Sequence, residues 1–341
     1  MLTQHTNHRP ILTANGGPRT ARPLLSVVLP AHDEAGVIGQ TLGRIASLAR
    51  PGSELAGRIE VIVVSDGSTD NTYEEARHAL GSELRGTVVE LVSNVGSHAA
   101  IRCGLRYATG AFIAIMAADG QDPPEQLPVM LEAMGAPVDV VWGRRPHRAN
   151  DRASVRWAAT AYYRTFRLLT GLDYPPSGLD FVVTRRRVIE AVLQRSARNA
   201  SLFLLIYNLG FGQTFVDYER GRRAGGRSKW TLRKRVKLAM DMLTGFSAAP
   251  IRVVSAAGIV AAMVGFVLGA VTLVRAAFGE VPVSGWAVLI VFSSFTCGLV
   301  LVAIGFLGEY VWRILDEVRG APLFIEARRA HANGAELEEA S

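Results

Sequence analysis

The sequence predicts an α/β fold: a cytoplasmic domain on a Rossmann-like, mostly parallel sheet, followed by a basic juxtamembrane helix and a two-helix transmembrane hairpin. Two observations predict it. Short apolar runs alternate with segments of helical spacing from residue 24 onward, which is the pattern of right-handed βαβ units. Nearer the C-terminus, 253–274 (VVSAAGIVAAMVGFVLGAVTLV) and 286–307 (WAVLIVFSSFTCGLVLVAIGFL) contain no charged residue. Each is long enough to cross a hydrocarbon core of about 30 Å.

The first element, 24–30 (LLSVVLP), is a β-rich run closed by proline, and 34–48 follows with Val37, Ile38, Leu42 and Ile45 on one helical stripe. A second buried strand, 59–64 (IEVIVV), ends in SDGSTDNT, where Ser68, Thr69 and Asp70 offer cap chemistry to a helix running through Ala76. A third strand at 88–92 precedes a helix at 97–108, and a fourth at 112–116 ends in the polar turn AADGQDPP. Strands are also expected at 138–142, 178–183 and 215–218, with helices at 154–169, 187–194 and 201–209. The segment 232–246 is a basic helix whose Val236, Leu238, Met240, Met242 and Leu243 suit it to lie along a bilayer surface.

These elements divide the chain into an N-terminal arm (1–22), a sheet domain (23–219), a basic segment (220–250), the hairpin (251–308) and a cytoplasmic tail (309–341). The arm is polar and lacks the apolar core of a signal peptide, so it reads as disordered. Much of the net charge of +7 lies in 219–237 (ERGRRAGGRSKWTLRKRVK), and Arg313, Arg319, Arg328 and Arg329 follow the second span. The connection between the spans carries only Arg275 and Glu280, so the positive-inside rule places both flanks in the cytoplasm. The basic excess would meet anionic headgroups, and no nucleic-acid partner is needed to explain it. Two cysteines, Cys103 and Cys297, make no disulfide framework, which agrees with a cytoplasmic domain.

The segment 112–124 (FIAIMAADGQDPP) carries the most chemistry. Ligands of open α/β sheets bind beyond the carboxyl ends of the strands. Asp119 and Asp122, bracketing Gln121 at such an end, could hold Mg²⁺ or Mn²⁺ with a diphosphate, because these cations accept few carboxylates alongside substrate phosphates. The alternative is a polar turn before a proline-initiated helix. Asp66 and Ser68 are either helix caps or ligands, and Glu34 is either a ligand or a first-turn acid favoured by the helix dipole. His32 and His98 lack a second ligand at metal spacing and read as polar loop residues. Trp157, Tyr162, Tyr163 and Phe166 either pack in the core or line a path for a lipid tail, while Trp230 and Trp286 fit interfacial anchors.

With SVVLPAHDE at 26–34, VVSDGSTDNT at 63–72, SNVGSHAAIRCGLRYATG at 93–110, ADGQDPPEQLP at 118–128 and RAGGRSKW at 223–230, the chain resembles the family 2 glycosyltransferases of GT-A fold. More narrowly it is similar to the polyprenyl-phosphate group, which includes dolichol-phosphate mannose synthase and bactoprenol glucosyltransferase. The resemblance implies that Pro30, Glu34, Val64 and Asp66 grip the base and ribose of a nucleotide sugar. It places Asp119 and Gln121 at the metal and diphosphate, and Arg145, Arg156, Arg223 and Lys229 at the donor diphosphate and the lipid phosphate; Arg144 rivals Arg145. Asp180 takes the family's acidic position opposite the donor, as an acceptor-orienting acid or base. The chain departs from the pattern at Ala117, Ser65 and Ser93, where the family carries Asp, Asp and Arg.

The expectation is an inverting membrane glycosyltransferase that moves a hexose from a UDP- or GDP-sugar to polyprenyl phosphate at the cytoplasmic face of the inner or plasma membrane. It would use Mg²⁺ or Mn²⁺, serve cell-envelope glycan or glycoconjugate synthesis, and have the bilayer, a second copy of itself and a small flippase as partners. The alternatives are the same fold acting on another membrane acceptor, or an impaired scaffold that binds a nucleotide sugar or lipid phosphate.

Overall fold

The computed structural model describes residues 23–81, 84–145, 164, 167, 179–194, 201–219, 221, 249–278, 286–333 and 337–340. The expected arm, most of the helix at 154–169 and the basic helix at 232–246 lie outside these residues. The described strands are β1 (Leu25–Ala31), β2 (Ile59–Ser65), β3 (Arg85–Leu91), β4 (Phe112–Ile115), β5 (Val140–Arg144), β6 (Val182–Arg185), β7 (Gln213–Asp217), β8 (Glu326–Asn333) and β9 (Leu337–Ala340). They form one sheet in the order β7-β5-β6-β4-β1-β2-β3-β8-β9. β1 lies between β2 and β4, parallel to both, with Leu25 opposite Ile59 and Phe112. β3 continues the parallel run beside β2, and β7 runs parallel to β5. β6 is antiparallel to both β4 and β5. The expected α/β architecture with a mostly parallel sheet is therefore present.

Both faces of the central strands are covered, which is why they read as unbroken apolar runs instead of alternating ones. Every residue of β2 is buried. Alternation along β1 sends Leu25, Val27 and Leu29 to one face and Val28 to the other. The first face packs on Ile38, Leu42 and Ile45 of α1 (Ala35–Leu48), Tyr73, Ala76 and Leu80 of α2 (Thr72–Leu80), and Leu127 and Met130 of α4 (Gln126–Glu132). The second packs on Ile101 and Cys103 of α3 (Ser97–Tyr107), on Val188 and Val192 of α5 (Arg186–Leu193), and on Leu202 and Ile206 of α6 (Leu202–Asn208).

At the amino ends of β1 and β2 the buried Glu60 binds the turn before β4. It accepts from Thr109 Oγ1 at 2.7 Å and from the Gly110 amide at 3.1 Å, and it also pairs with Ser26 Oγ and the Thr109 amide. A carboxylate survives there because several donors replace its water. Gly110 has no alternative, since a Cβ would come within 2.7 Å of the Ser26 amide nitrogen.

The two long C-terminal helices are α7 (Ala249–Ala277) and α8 (Trp286–Arg319). Both are long and apolar enough to cross a membrane, over 251–271 and 295–316. α8 continues past 307, the end of the expected span, to Arg319, with no proline in 308–319 to interrupt it. The helices touch where Gly265 faces the Phe292 ring; a Cβ at 265 would come within 2.6 Å of Phe292 Cζ. Small residues allow such close approach between apolar helices.

The residues assigned to the tail hold two further strands of the sheet. β8 pairs antiparallel with β3 from Arg85 opposite Asn333 to Val89 opposite Arg329 and on to Leu91 opposite Glu326, with an irregularity at Glu90 and Leu91. Side chains reinforce the pairing. Arg328 Nη1 reaches Glu74 at 2.7 Å and its guanidinium lies 4.0 Å from the Tyr73 ring centroid. Tyr107 Oη donates to Glu326 at 2.6 Å and accepts from Arg329 at 2.9 Å. β3 would otherwise present an open edge. Ending the chain after Gly320 is expected to lower the thermal unfolding midpoint of the detergent-solubilised protein by about 5 °C or more; an unchanged midpoint would show that the tail is not part of the folded domain.

Candidate active site

The carboxyl ends of β1, β2, β3, β4, β5 and β7 lie on one rim of the sheet, and antiparallel β6 begins there. The loops that follow these strands bring together residues far apart in sequence. Pro30 and Val64 are register partners at the ends of β1 and β2. The Val64 side chain is buried in the core, so only its backbone can serve a ligand.

The first two loops are laced to each other. His32 Nδ1 lies 2.9 Å from the Asp66 carbonyl oxygen. Asp33 stands at φ 53°, a left-handed conformation that Asp tolerates better than most residues. Its Oδ1 accepts the Thr69 amide at 2.8 Å, while the Asp33 amide donates to Ser68 Oγ at 3.2 Å. The Glu34 amide donates to Thr72 Oγ1 at 2.8 Å, and the Ala35 amide to Asp70 Oδ2 at 3.2 Å. Ser65, where the resemblance implies Asp, is fully buried and donates to Ser68 Oγ at 2.9 Å.

Asp66 faces inward. Its two oxygens accept the Val95 amide at 2.8 Å and the Gly96 amide at 2.9 Å, fixing the loop between β3 and α3. Gly67 crosses that loop so closely, at φ 55°, that a Cβ would lie 2.4 Å from the Asn94 nitrogen. The expected grip of Asp66 on a nucleotide is thus joined to a structural task that uses both oxygens. Burial pushes its carboxyl above the ordinary value, against the two amide bonds and His32, which pull it down. The folded state therefore holds this proton more tightly than the unfolded chain. The group's contribution to stability falls as pH rises from the unfolded value near 3.8 to the raised one.

The acid turn after β4 separates its two aspartates. Asp122 is fully buried; Oδ2 accepts the Ala117 amide at 3.2 Å and Oδ1 accepts Tyr218 Oη at 2.7 Å. It is a strut that ties the start of the turn to Tyr218. Asp119 is half-buried, with Oδ1 accepting the Gln121 amide at 3.1 Å. Thr41 of α1 donates to the Ala118 carbonyl at 3.1 Å, and Gly120, at φ 72°, makes the reversal. Among the described residues no group of three or more His, Cys, Asp or Glu could enclose a metal ion. Mg²⁺ or Mn²⁺ would fit only in the form these cations favour with nucleotides, one or two carboxylates with phosphate oxygens and water; Asp119 and Gln121 are the candidate residues for it.

The two arginines ending β5 take opposite paths. Arg144 turns outward, its Nη2 3.1 Å from Asp217 Oδ2 and its Nε on the other oxygen. Arg145 turns inward, its guanidinium largely buried and paired with Asp180, whose side chain is 52% exposed. Burial works against the charge of Arg145, but Asp180, Tyr218 and Asp122 outweigh it and hold its pKa above the ordinary value. Arg145 is thus the rim cation and Arg144 the surface one. Burial together with Arg102 pushes His98 down to about 4 against the pull of Asp180, so it is neutral at pH 7.

Arg156, Arg223 and Lys229 lie outside the described residues, as do Trp157 and Trp230. Sequence reasoning missed Asp33, although it lies within SVVLPAHDE, and it missed Thr41 and Tyr218, which carry no local motif. Tyr218 lies 96 residues from its partner Asp122.

The profile described as Glycosyl transferase family 2 matches residues 26–193. An uncharacterized glycosyltransferase of Bacillus subtilis is 33% identical over 88% of this chain and 92% of its own length. The undecaprenyl-phosphate 4-deoxy-4-formamido-L-arabinose transferase of Pseudomonas aeruginosa is 31% identical over 93% of each chain. A mannosyltransferase from Pyrobaculum calidifontis, solved with GDP-Man and Mn²⁺, superposes with a TM-score of 0.43 at 17% identity, covering 86% of this chain and 88% of that one.

Replacing Asp66 by Ala should speed amide hydrogen exchange at Val95 and Gly96 by about tenfold, because each loses its hydrogen bond to a buried carboxyl oxygen. Unchanged exchange at both amides would show that other contacts hold the loop.

Proposed function

The chain belongs to glycosyl transferase family 2 and is a glycosyltransferase; on that premise we propose that it moves a hexose from a nucleotide sugar to a polyprenyl phosphate at the cytoplasmic face of a cell membrane. One observation carries the reading. The acid turn, the inward Arg145 and Asp180 share a single rim, and the chain departs from that rim after β7 and returns to it at β8 once both apolar helices are complete. An acceptor with its phosphate at the membrane surface would meet the donor there. The undecaprenyl-phosphate transferase of Pseudomonas aeruginosa supports this acceptor class.

The chemistry follows from the charges. Donor diphosphate and acceptor phosphate repel one another and need fixed cations between them, and a guanidinium meets phosphate oxygens in pairs. Arg145 supplies that group, pre-aligned by Asp180. Glu34, Pro30 and the Val64 backbone line the base and ribose side. A divalent cation held by Asp119 and Gln121 would neutralise charge on the departing diphosphate. A phosphate acceptor is already ionised at pH 7, so in-line attack on the anomeric carbon, with inversion, needs no strong general base. Asp180 accordingly orients Arg145 and the acceptor. Arg156, Arg223 and Lys229 complete the lipid-phosphate side in this reading.

The commitment of Asp122 to Ala117 and Tyr218 favours one refinement: the turn offers the cation a single carboxylate, so affinity for metal rests largely on the nucleotide. Membranes containing the protein, incubated with radiolabelled UDP- or GDP-sugars and undecaprenyl phosphate, should yield a labelled lipid. Asp119→Ala should reduce the rate by about 100-fold or more; no labelled lipid from any common donor overturns the assignment. Ala117→Asp should lower the Mn²⁺ concentration giving half-maximal rate, and a rate unaffected by Mn²⁺ in both proteins would sink the single-carboxylate reading.

A further inference from the structure

Tyr218 follows the last residue of β7 and continues its ladder, its amide donating to the Arg144 carbonyl at 2.9 Å. The ring is 4% exposed and meets Phe181 edge to face, with centroids 5.5 Å apart. Gly143 makes room for both rings, since a Cβ there would lie 2.9 Å from each. That seating aims the phenol at the acid turn, where it donates to Asp122 at 2.7 Å. Asp122 passes the restraint to the start of the turn through the Ala117 amide. Three residues after Tyr218, the Gly221 amide donates to the Gln121 carbonyl at 2.9 Å. A Cβ at 221 would come within 3.3 Å of the Gly120 oxygen, so the chain lies directly on the turn. Arg145 lies within electrostatic reach of Asp180, Tyr218 and Asp122 together.

We propose that Tyr218 is a positioning residue for the transfer: its hydrogen bond to Asp122 sets the turn bearing Asp119 and Gln121 at a fixed place against Arg145, so that one diphosphate engages both. The inference rests on the assignment of Asp119, Gln121 and Arg145 to the donor diphosphate. An ordinary core tyrosine needs a partner for its hydroxyl, but nothing requires that partner to be the strut of the acid turn. The 218–221 segment also opens the basic stretch that continues through Arg223, so docking on the turn couples the start of that stretch to the donor site.

The test uses the full-length protein in detergent. Calorimetry with UDP and GDP, with and without Mn²⁺, is compared for wild type, Tyr218→Phe and Arg144→Ala. The phenylalanine keeps the ring against Phe181 and Gly143, and the alanine breaks a surface pair at the same strand end as a stability control. Tyr218→Phe is expected to weaken Mn²⁺-dependent nucleotide binding by about tenfold, the effect of losing one hydrogen bond to a charged group. It should lower kcat while leaving KM for the lipid acceptor unchanged, whereas Arg144→Ala should lower the unfolding midpoint without changing binding.

Coupling is read from Asp122→Asn and the double variant: the second substitution should add little to the first. A lower unfolding midpoint with unchanged nucleotide binding in Tyr218→Phe, or equal binding losses in Arg144→Ala, overturns the proposal. If wild type binds UDP or GDP but makes no lipid-linked sugar, the acceptor assignment fails and the binding comparison still decides the role of Tyr218. If wild type binds neither nucleotide, the donor-site assignment fails and this proposal falls with it.

Discussion

Parallel pairing of β1 with β2 on one side and β4 on the other sets the terms for the rest of the molecule. Parallel neighbours cannot be joined by tight hairpins, so each of these strands is followed by a crossover, and their carboxyl ends arrive at the same rim. The same pairing requires apolar cover on both faces, which α1, α2 and α4 provide on one side and α3, α5 and α6 on the other. Fold stability and the gathering of polar side chains at one edge are therefore two results of one arrangement.

At that edge the acids divide by burial. Asp66 and Asp122 are nearly or wholly buried there, as Glu60 is at the opposite, amino-end edge, and each directs its oxygens to backbone amides or to a hydroxyl. A buried carboxylate without such donors is costly, so these three act as ties between loops. Asp119 and Asp180 retain exposure, as does Glu34, so a substrate can reach them. The division changes the meaning of the turn at 117–122. Its two aspartates look equivalent in sequence, yet one holds the turn in shape and the other is presented by it.

The C-terminal strands add a second consequence. β8 covers the edge of β3, and the Val92 amide just beyond β3 donates to the Ile325 carbonyl at 2.9 Å. The loop that Asp66 holds begins at this point. The chain emerging from α8 is therefore hydrogen-bonded to the segment that leads into the loop held by Asp66. Phe324 packs in the core near α3, with Arg106 4.7 Å above its ring centroid, so the last stretch before β8 is anchored as well as paired.

Much of the fold was legible in the sequence because its signals are local. Uninterrupted apolar runs mark strands buried on both faces, helical stripes mark their covers, and long uncharged segments mark the two C-terminal helices. The rim positions of Pro30, Glu34, Val64, Asp66, Asp119, Gln121, Arg145 and Asp180 were legible too, from strand ends where apolar runs turn polar and from the resemblance to the family. Orientation was not legible. Whether Arg144 or Arg145 faces the rim depends on Asp217 and Asp180, and whether Asp122 is ligand or strut depends on Tyr218, 96 residues away. The tail gave no strand signal, because the polar, charged EARRAHAN reads as a solvated end until the open edge of β3 supplies its hydrogen bonds. Sequence determined which residues reach the rim, through periodicity and composition; tertiary structure decided which way each side chain turns there, because that choice is made by partners brought together only when the sheet forms.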